Sequence, residues 1–169
     1  VQSGSNELAR GMQSGQWPAD VGRQLADVQK QFALLNQLTA APATQTALVV
    51  AASEQADRTL LVAQTVTESI EKMAQAPSAR LVNLAGRQRM LSQRLAKNYF
   101  LNAAKVESKV VQAQLVADAA DFRQALQTLK AAPVSTPAIR SELELADSQW
   151  LFFDLSLIHI SEPTRQAEI

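Results

Sequence analysis

Residues 81–101 read LVNLAGRQRMLSQRLAKNYFL, and this stretch decides the fold class. Apolar side chains recur in it every three or four residues, which is the repeat of one face of an α-helix. The predicted apolar seam consists of Leu81, Leu84, Ala85, Leu91, Leu95 and Tyr99, with Gln88 and Ser92 set into it. Because such a helix buries its apolar face against other helices, the stretch predicts a helical bundle.

The rest of the chain has the composition of long helices with few interruptions. Ala, Leu and Gln are abundant, whereas 169 residues include only five glycines and six prolines. The same periodicity predicts helices over about 19–39, 45–75, 78–105, 110–130 and 137–153. The predicted fold class is therefore all-α, an antiparallel helical bundle of long helices built from two repeated helical-hairpin units.

Helix-capping residues stand at the predicted boundaries. Pro42 interrupts the periodicity after the first helix, and Thr44 is the predicted N-cap of the second. Ser78 is the predicted N-cap of the third helix. Thr136 is the predicted cap of the fifth helix, with Pro137 at its first position, where a missing N–H costs nothing.

A repeat of about 90 residues organises the chain. The pattern LxxLxAAP occurs at 35–42 and again at 126–133, and ExADxxLL at 54–61 is followed by ExADxxWL at 144–151. We therefore expect residues 1–76 to be the C-terminal part of a first unit whose motif helix is missing, and 77–154 to be a second unit that contains it. Chance similarity between two Ala-rich amphipathic hairpins is the alternative.

The last segment, residues 155–169, lacks the Ala/Gln-rich composition of the preceding helices. It contains the only histidine of the chain, His159, and Pro163. Its sequence resembles translated sequencing-adaptor DNA. We therefore expect it to be a non-native tail, with a frayed native C-terminus as the alternative.

The chain has no net charge, but its charged residues are unevenly distributed along the sequence. Sixteen basic and sixteen acidic side chains cancel, so no global field favours nucleic acid, and we expect no nucleic-acid partner. Between residues 72 and 105 there is no carboxylate, but there are seven basic residues, namely Lys72, Arg80, Arg87, Arg89, Arg94, Lys97 and Lys105.

This basic segment predicts binding of a small anion. A guanidinium fork matches the oxygens of carboxylate, nitrate or phosphate in two-point geometry. The structural alternative is a solvated arginine face paired with carboxylates of neighbouring helices, such as Asp118, Asp121 or Asp147.

Gly86 is unexpected inside a helix, where it costs roughly 1 kcal/mol relative to Ala. Its position predicts a close approach of either a partner helix or a ligand to the backbone.

The chain carries few residues with catalytic chemistry. It has no cysteine, one histidine and no Gly-rich phosphate loop, so we predict that it is not an enzyme and holds neither metal nor cofactor. No apolar run approaches the roughly 20 residues that span a bilayer. Any membrane attachment is thus expected through segments absent from this chain.

Residues 83–97, NLAGRQRMLSQRLAK, closely resemble the signature of PilJ-type N-terminal sensor domains. These domains occur in type IV pilus chemotaxis transducers and are related to the NarX-type nitrate and nitrite sensors. The segment WLFFD at 150–154 also fits the pattern of the family. The resemblance implies a periplasmic helical bundle, usually a homodimer, that reports ligand binding by shifting its helices against one another.

The resemblance also implies a ligand-binding set. In the nitrate sensors a Gly-x-x-Arg-Met core supplies the ligand-binding arginine near a dimer axis, and residues 86–90, GRQRM, match that spacing. Arg89 is then the first candidate for anion contact, with Arg87, Gly86 and Arg94 completing the set. The extra arginines depart from the nitrate-sensor pattern, so the ligand is expected only to be nitrate-like, nitrite-like or a carboxylate.

Two functions follow as expectations. The first is a non-enzymatic periplasmic sensory or ligand-binding domain of a bacterial chemotaxis or two-component type receptor that senses a small anion. The alternative is a soluble exported tandem-repeat binding or scaffold protein without its own signalling module.

Overall fold

Long helices make up almost all of the structure. The computed structural model describes residues 10, 15, 17–40, 46–106 and 108–161. Within these ranges it has five long helices and no strand: α1 (Ala19–Ala40), α2 (Thr46–Ala74), α3 (Pro77–Ala103), α4 (Ser108–Lys130) and α5 (Pro137–Ser161). The predicted all-α class is confirmed.

Backbone geometry explains where α2 and α3 end. Gln75, just after α2, has a φ of 47°, and Lys105, just after α3, has a φ of 57°. At the end of α3 the Val106 N–H donates to the Leu101 carbonyl at 2.9 Å, and the Lys105 N–H donates to the Asn102 carbonyl at 3.0 Å. This pair of bonds is a Schellman motif, which satisfies the last carbonyls of the helix.

The predicted N-cap residues agree with the structure in one case and disagree in another. The Ile139 N–H donates to the Thr136 hydroxyl at 3.3 Å and α5 begins at Pro137, so that cap is confirmed. Ser78 is not an N-cap, because α3 begins at Pro77, whose fixed φ suits the first helical position. The predicted cap Thr44 lies outside the described residues.

The chain divides into two compact units, residues 1–79 and 80–169. In the first, α1 and α2 form an antiparallel hairpin around buried Val21, Leu25, Val28 and Val66. Val62, Ala63 and Ile70 of α2 and Phe32 of α1 pack against this cluster. Farther along the hairpin, Gln55 is buried and its amide donates to the Gln31 side-chain oxygen at 2.7 Å.

In the second unit, α4 runs antiparallel to both α3 and α5. Arg87 of α3 pairs with Asp121 of α4, whereas Arg94, later in α3, pairs with Asp118, earlier in α4. Lys130 at the end of α4 pairs with Asp147 of α5 at 2.5 Å. Its buried apolar side chains are Leu91, Leu95, Leu101, Val111, Leu115, Ala119, Ala125, Leu126, Ala132 and Trp150.

Helix bounds in the two units follow the offset of the sequence repeat. Adding 90 to the bounds of α1 gives 109 and 130, against 108 and 130 for α4, and the start of α2 maps to 136, against 137 for α5. The duplication stays a prediction. So does the non-native tail, into which α5 continues as far as Ser161.

Candidate functional site

The motif helix α3 buries a line of residues that differs in part from the predicted seam. Leu91, Leu95 and Asn98 are fully buried. Ala85 and Ser92, which the seam included, are exposed, and Tyr99 is only half-buried. The buried line therefore turns toward Asn98 instead of Tyr99, because 91, 95 and 98 share one face at 3.6 residues per turn.

Arg94 is held in the core of the second unit by Asp118. Its Nε donates to Asp118 Oδ2 at 2.7 Å, and its terminal nitrogen donates to the other carboxylate oxygen. The Asp118 side chain is 2% exposed and that of Arg94 is 25% exposed. A carboxylate at this depth needs a paired cation, so this two-point contact fixes α3 against α4.

Arg87 forms a second ion pair between the same helices, but nearer to solvent. Its terminal nitrogen lies 2.7 Å from Asp121 Oδ2, with the two side chains 38% and 45% exposed. A pair in this environment contributes about 0–1 kcal/mol. The predicted structural alternative, in which motif arginines pair with aspartates of a neighbouring helix, is therefore observed at both Arg87 and Arg94.

Further hydrogen bonds between α3 and α4 continue this line of polar contacts. Gln88 donates to the Phe122 carbonyl at 2.9 Å, Asn98 donates to Gln114 at 3.1 Å, and Gln112 donates to Asn102 at 3.3 Å. The Gln88 and Asn98 side-chain oxygens are nevertheless buried without a donor among the described residues. Asn98 was not among the predicted site residues. Its position three residues after Leu95 and seven after Leu91 nevertheless marks it as a polar residue on the buried face.

Arg89 lies on the other side of α3. It is two residues beyond Arg87, about 200° around a helix with 3.6 residues per turn, and its side chain is exposed. No hydrogen bond or ion pair joins its guanidinium group to any described residue. The three motif arginines therefore differ: two hold helices together, and one presents its guanidinium to solvent.

Gly86 is exposed, and nothing in the described chain explains it. A Cβ added to it would meet no atom within 4 Å outside its own helix backbone and chain neighbours. Close packing against another described helix, one of the two predicted explanations, is therefore absent. An approach from outside the described chain stays a prediction.

The solvent face of α3 around Arg89 is partly apolar. Val82 is 72% exposed and Phe100 is 70% exposed. Ala85 and Ala96 are small and also exposed. They lie on the same face, because Ala85 is four residues before Arg89 and Ala96 is seven residues after it. This face carries one positive charge among apolar and small side chains, with the exposed polar residue Gln93 beside it.

The described residues form neither a metal-binding cluster nor a membrane-spanning helix. No group of three or more His, Cys, Asp or Glu side chains there could hold a metal ion. No helix there is long and apolar enough to cross a membrane.

Comparison with known proteins assigns this helix and its unit to a family. No curated protein and no solved structure matches the chain. A family model described as type IV pili methyl-accepting chemotaxis transducer N-term, PilJ, matches residues 73–168, which is more than half of the chain. The match covers the whole of α3 to α5, and therefore both arginine–aspartate pairs and the exposed Arg89. The chain thus belongs to the PilJ family of chemotaxis transducer sensory domains.

Proposed function

We propose that the chain is the periplasmic, non-enzymatic ligand-binding part of a chemotaxis or two-component type receptor, and that it senses a small anion through Arg89. The observation that carries this proposal is the difference among the three motif arginines. Arg87 and Arg94 each have an aspartate partner, whereas Arg89 is exposed and has none among the described residues. An exposed guanidinium within a segment that has no carboxylate retains its positive potential for a ligand.

Gly86 and Arg87 extend the proposed site. Gly86 lies three residues before Arg89, so the two share one side of α3, and its bare backbone leaves room for a ligand. The pair between Arg87 and Asp121 is solvent-accessible and weak, so a bound anion could compete with Asp121 for this guanidinium. Arg94 already binds Asp118, so we propose that its role is to fix the position of α3 along α4.

We propose in addition that two copies of the chain form a homodimer through the solvent face of α3. Val82, Ala85, Ala96 and Phe100 surround Arg89 on the solvent face of α3, and pairing of two such faces would remove both large apolar side chains from water. Two arginines brought together at the axis would repel each other. An anion between them would remove this repulsion, so we expect ligand binding to strengthen the dimer.

Calorimetry on the full chain tests the anion proposal with nitrate, nitrite, phosphate and succinate as separate probes. We expect at least one of them to bind, and Arg89→Ala to weaken it at least tenfold. Arg80→Ala is the matched control, because Arg80 is also exposed on α3 and has no partner among the described residues. Sedimentation velocity with and without the anion tests the dimer. The proposal is wrong if no probe binds, or if both variants bind like the wild type.

A soluble exported tandem-repeat binding or scaffold protein is the second candidate. It is favoured by the correspondence between the bounds of the α1–α2 and α4–α5 hairpins at an offset of 90 residues. The complete coding sequence discriminates between the two. A membrane-spanning helix followed by a methyl-accepting or kinase region supports the receptor, whereas further repeats without such a region support the scaffold.

A further inference from the structure

The second unit contains a cavity that the proposed anion site does not use. It has a volume of about 220 Å³ and is lined by Ser92, Phe122, Ala146, Gln149, Trp150 and Phe153. The Phe122 and Trp150 rings are stacked with their centroids 4.1 Å apart, and the Phe153 ring is 5.5 Å from that of Trp150. Ser92 and Gln149 are exposed, so the cavity opens to the surface beside them.

Trp150, one of the residues that line this cavity, has an unsatisfied donor. The residue is 6% exposed, and its indole Nε1 is buried without an acceptor among the described residues. An indole N–H can only donate, and native proteins rarely leave such a buried group without a partner. An acceptor from outside the described chain would satisfy it.

We propose that this cavity binds a small uncharged molecule that combines an aromatic or other flat apolar body with one hydrogen-bond acceptor, such as a carbonyl oxygen. The aromatic walls and the absence of any charged side chain from the lining favour an uncharged, flat body. An apolar cavity of roughly 150 Å³ accommodates benzene in another protein. The larger volume here suits a ring with a short substituent, and the acceptor takes the Trp150 N–H.

The position of the cavity gives such a ligand a contact with the motif helix. Ser92 lines the cavity from α3, and its hydroxyl donates to the Arg89 carbonyl at 2.8 Å. The other lining residues belong to α4 and α5. A molecule in the cavity therefore touches all three helices of the unit. This site is separate from the proposed anion site, because the Arg89 side chain takes no part in it.

Two probes of similar shape test the proposal on the full chain. Acetophenone carries a ring and a carbonyl, whereas ethylbenzene has the same outline without an acceptor. Their affinities are measured by saturation-transfer NMR titration for wild type, Trp150→Phe, Ala146→Leu and Trp17→Phe. The last is the matched control, since it makes the same chemical change in the first unit.

We expect both probes to bind the wild type saturably. Trp150→Phe keeps an aromatic ring but loses the donor, so it should weaken acetophenone by about three- to tenfold and change ethylbenzene by less than about twofold. Ala146→Leu fills the cavity and should abolish binding of both probes. Trp17→Phe and Arg89→Ala should leave both affinities unchanged, which separates this site from the anion site.

Three results would overturn the proposal. The first is no saturable binding of either probe to the wild type. The second is an equal loss of both probes on Trp150→Phe. The third is unchanged binding by Ala146→Leu when circular dichroism shows that this variant is folded. Because Trp150→Phe and Ala146→Leu alter different properties of the site, misfolding of one leaves the other as a test.

Discussion

Removal of Arg94 should destabilise the second unit more than loss of any solvent-exposed ion pair. Arg94→Leu leaves the Asp118 carboxylate, 2% exposed, with no cation among the described residues. Breaking a buried ion pair from one side costs about 3–5 kcal/mol. The whole stability of a domain is only about 5–15 kcal/mol. We therefore expect Arg94→Leu to lose a large share of the free energy of unfolding of this unit.

The double variant Arg94→Leu/Asp118→Val shows whether the loss comes from the uncompensated charge. Replacing both partners of a buried pair by apolar residues is often neutral or stabilising. Valine is the replacement at position 118 because it is apolar and close to aspartate in volume. We expect the double variant to return to within about 1 kcal/mol of the wild type.

Urea unfolding followed by tryptophan fluorescence measures these changes. The chain has two tryptophans, so the series is made in a Trp17→Phe background, in which Trp150 reports the second unit. Arg87→Leu is the control and should cost at most about 1 kcal/mol, because its pair with Asp121 is half-exposed. The reasoning is refuted if Arg94→Leu costs less than about 1 kcal/mol, or if the double variant is no more stable than the single one.

Three further substitutions have expected effects on the same urea unfolding curves. Gly86→Ala should raise the stability by about 0.5–1 kcal/mol, because the added Cβ meets no atom within 4 Å; a loss would mean that the site is tighter than described. Leu91→Ala should cost about 2–5 kcal/mol, because Leu91 is fully buried, and a cost below about 1 kcal/mol would contradict that burial. Thr136→Ala should cost about 1 kcal/mol through loss of the α5 cap, with Thr136→Ser as the variant that retains it.

The helices and one of their caps were predictable because local chemistry determines them. The change from three- and four-residue periodicity to Pro-containing segments located the starts of all five helices and the ends of the first four within two residues. The fifth helix continues to Ser161, eight residues beyond its predicted end. Thr136 and Pro137 were predicted correctly because a hydroxyl acceptor and a fixed φ act on adjacent backbone atoms. Ser78 was predicted wrongly because Pro77 offered a competing start one residue earlier.

The buried face of α3 was only partly predictable. Leu91 and Leu95 determine its centre, but Ala85 and Ser92 are small enough to fit either face, so periodicity alone could not place them. The sequence is compatible both with pairing of Arg87 and Arg94 to aspartates and with ligand binding by these arginines. Whether each arginine pairs with an aspartate or stays available for a ligand depends on how α3 is aligned along α4. That alignment is determined by tertiary packing and not by local sequence.

The unequal strengths of these ion pairs limit how α3 could move if an anion binds at Arg89. Allosteric coupling typically supplies about 1–3 kcal/mol. That is enough to break the exposed pair between Arg87 and Asp121, worth about 0–1 kcal/mol, but not the buried pair at Asp118, which costs about 3–5 kcal/mol to break. A signal from Arg89 should therefore rotate or tilt α3 about Arg94. A piston displacement of the whole helix would require the Arg94–Asp118 contact to break.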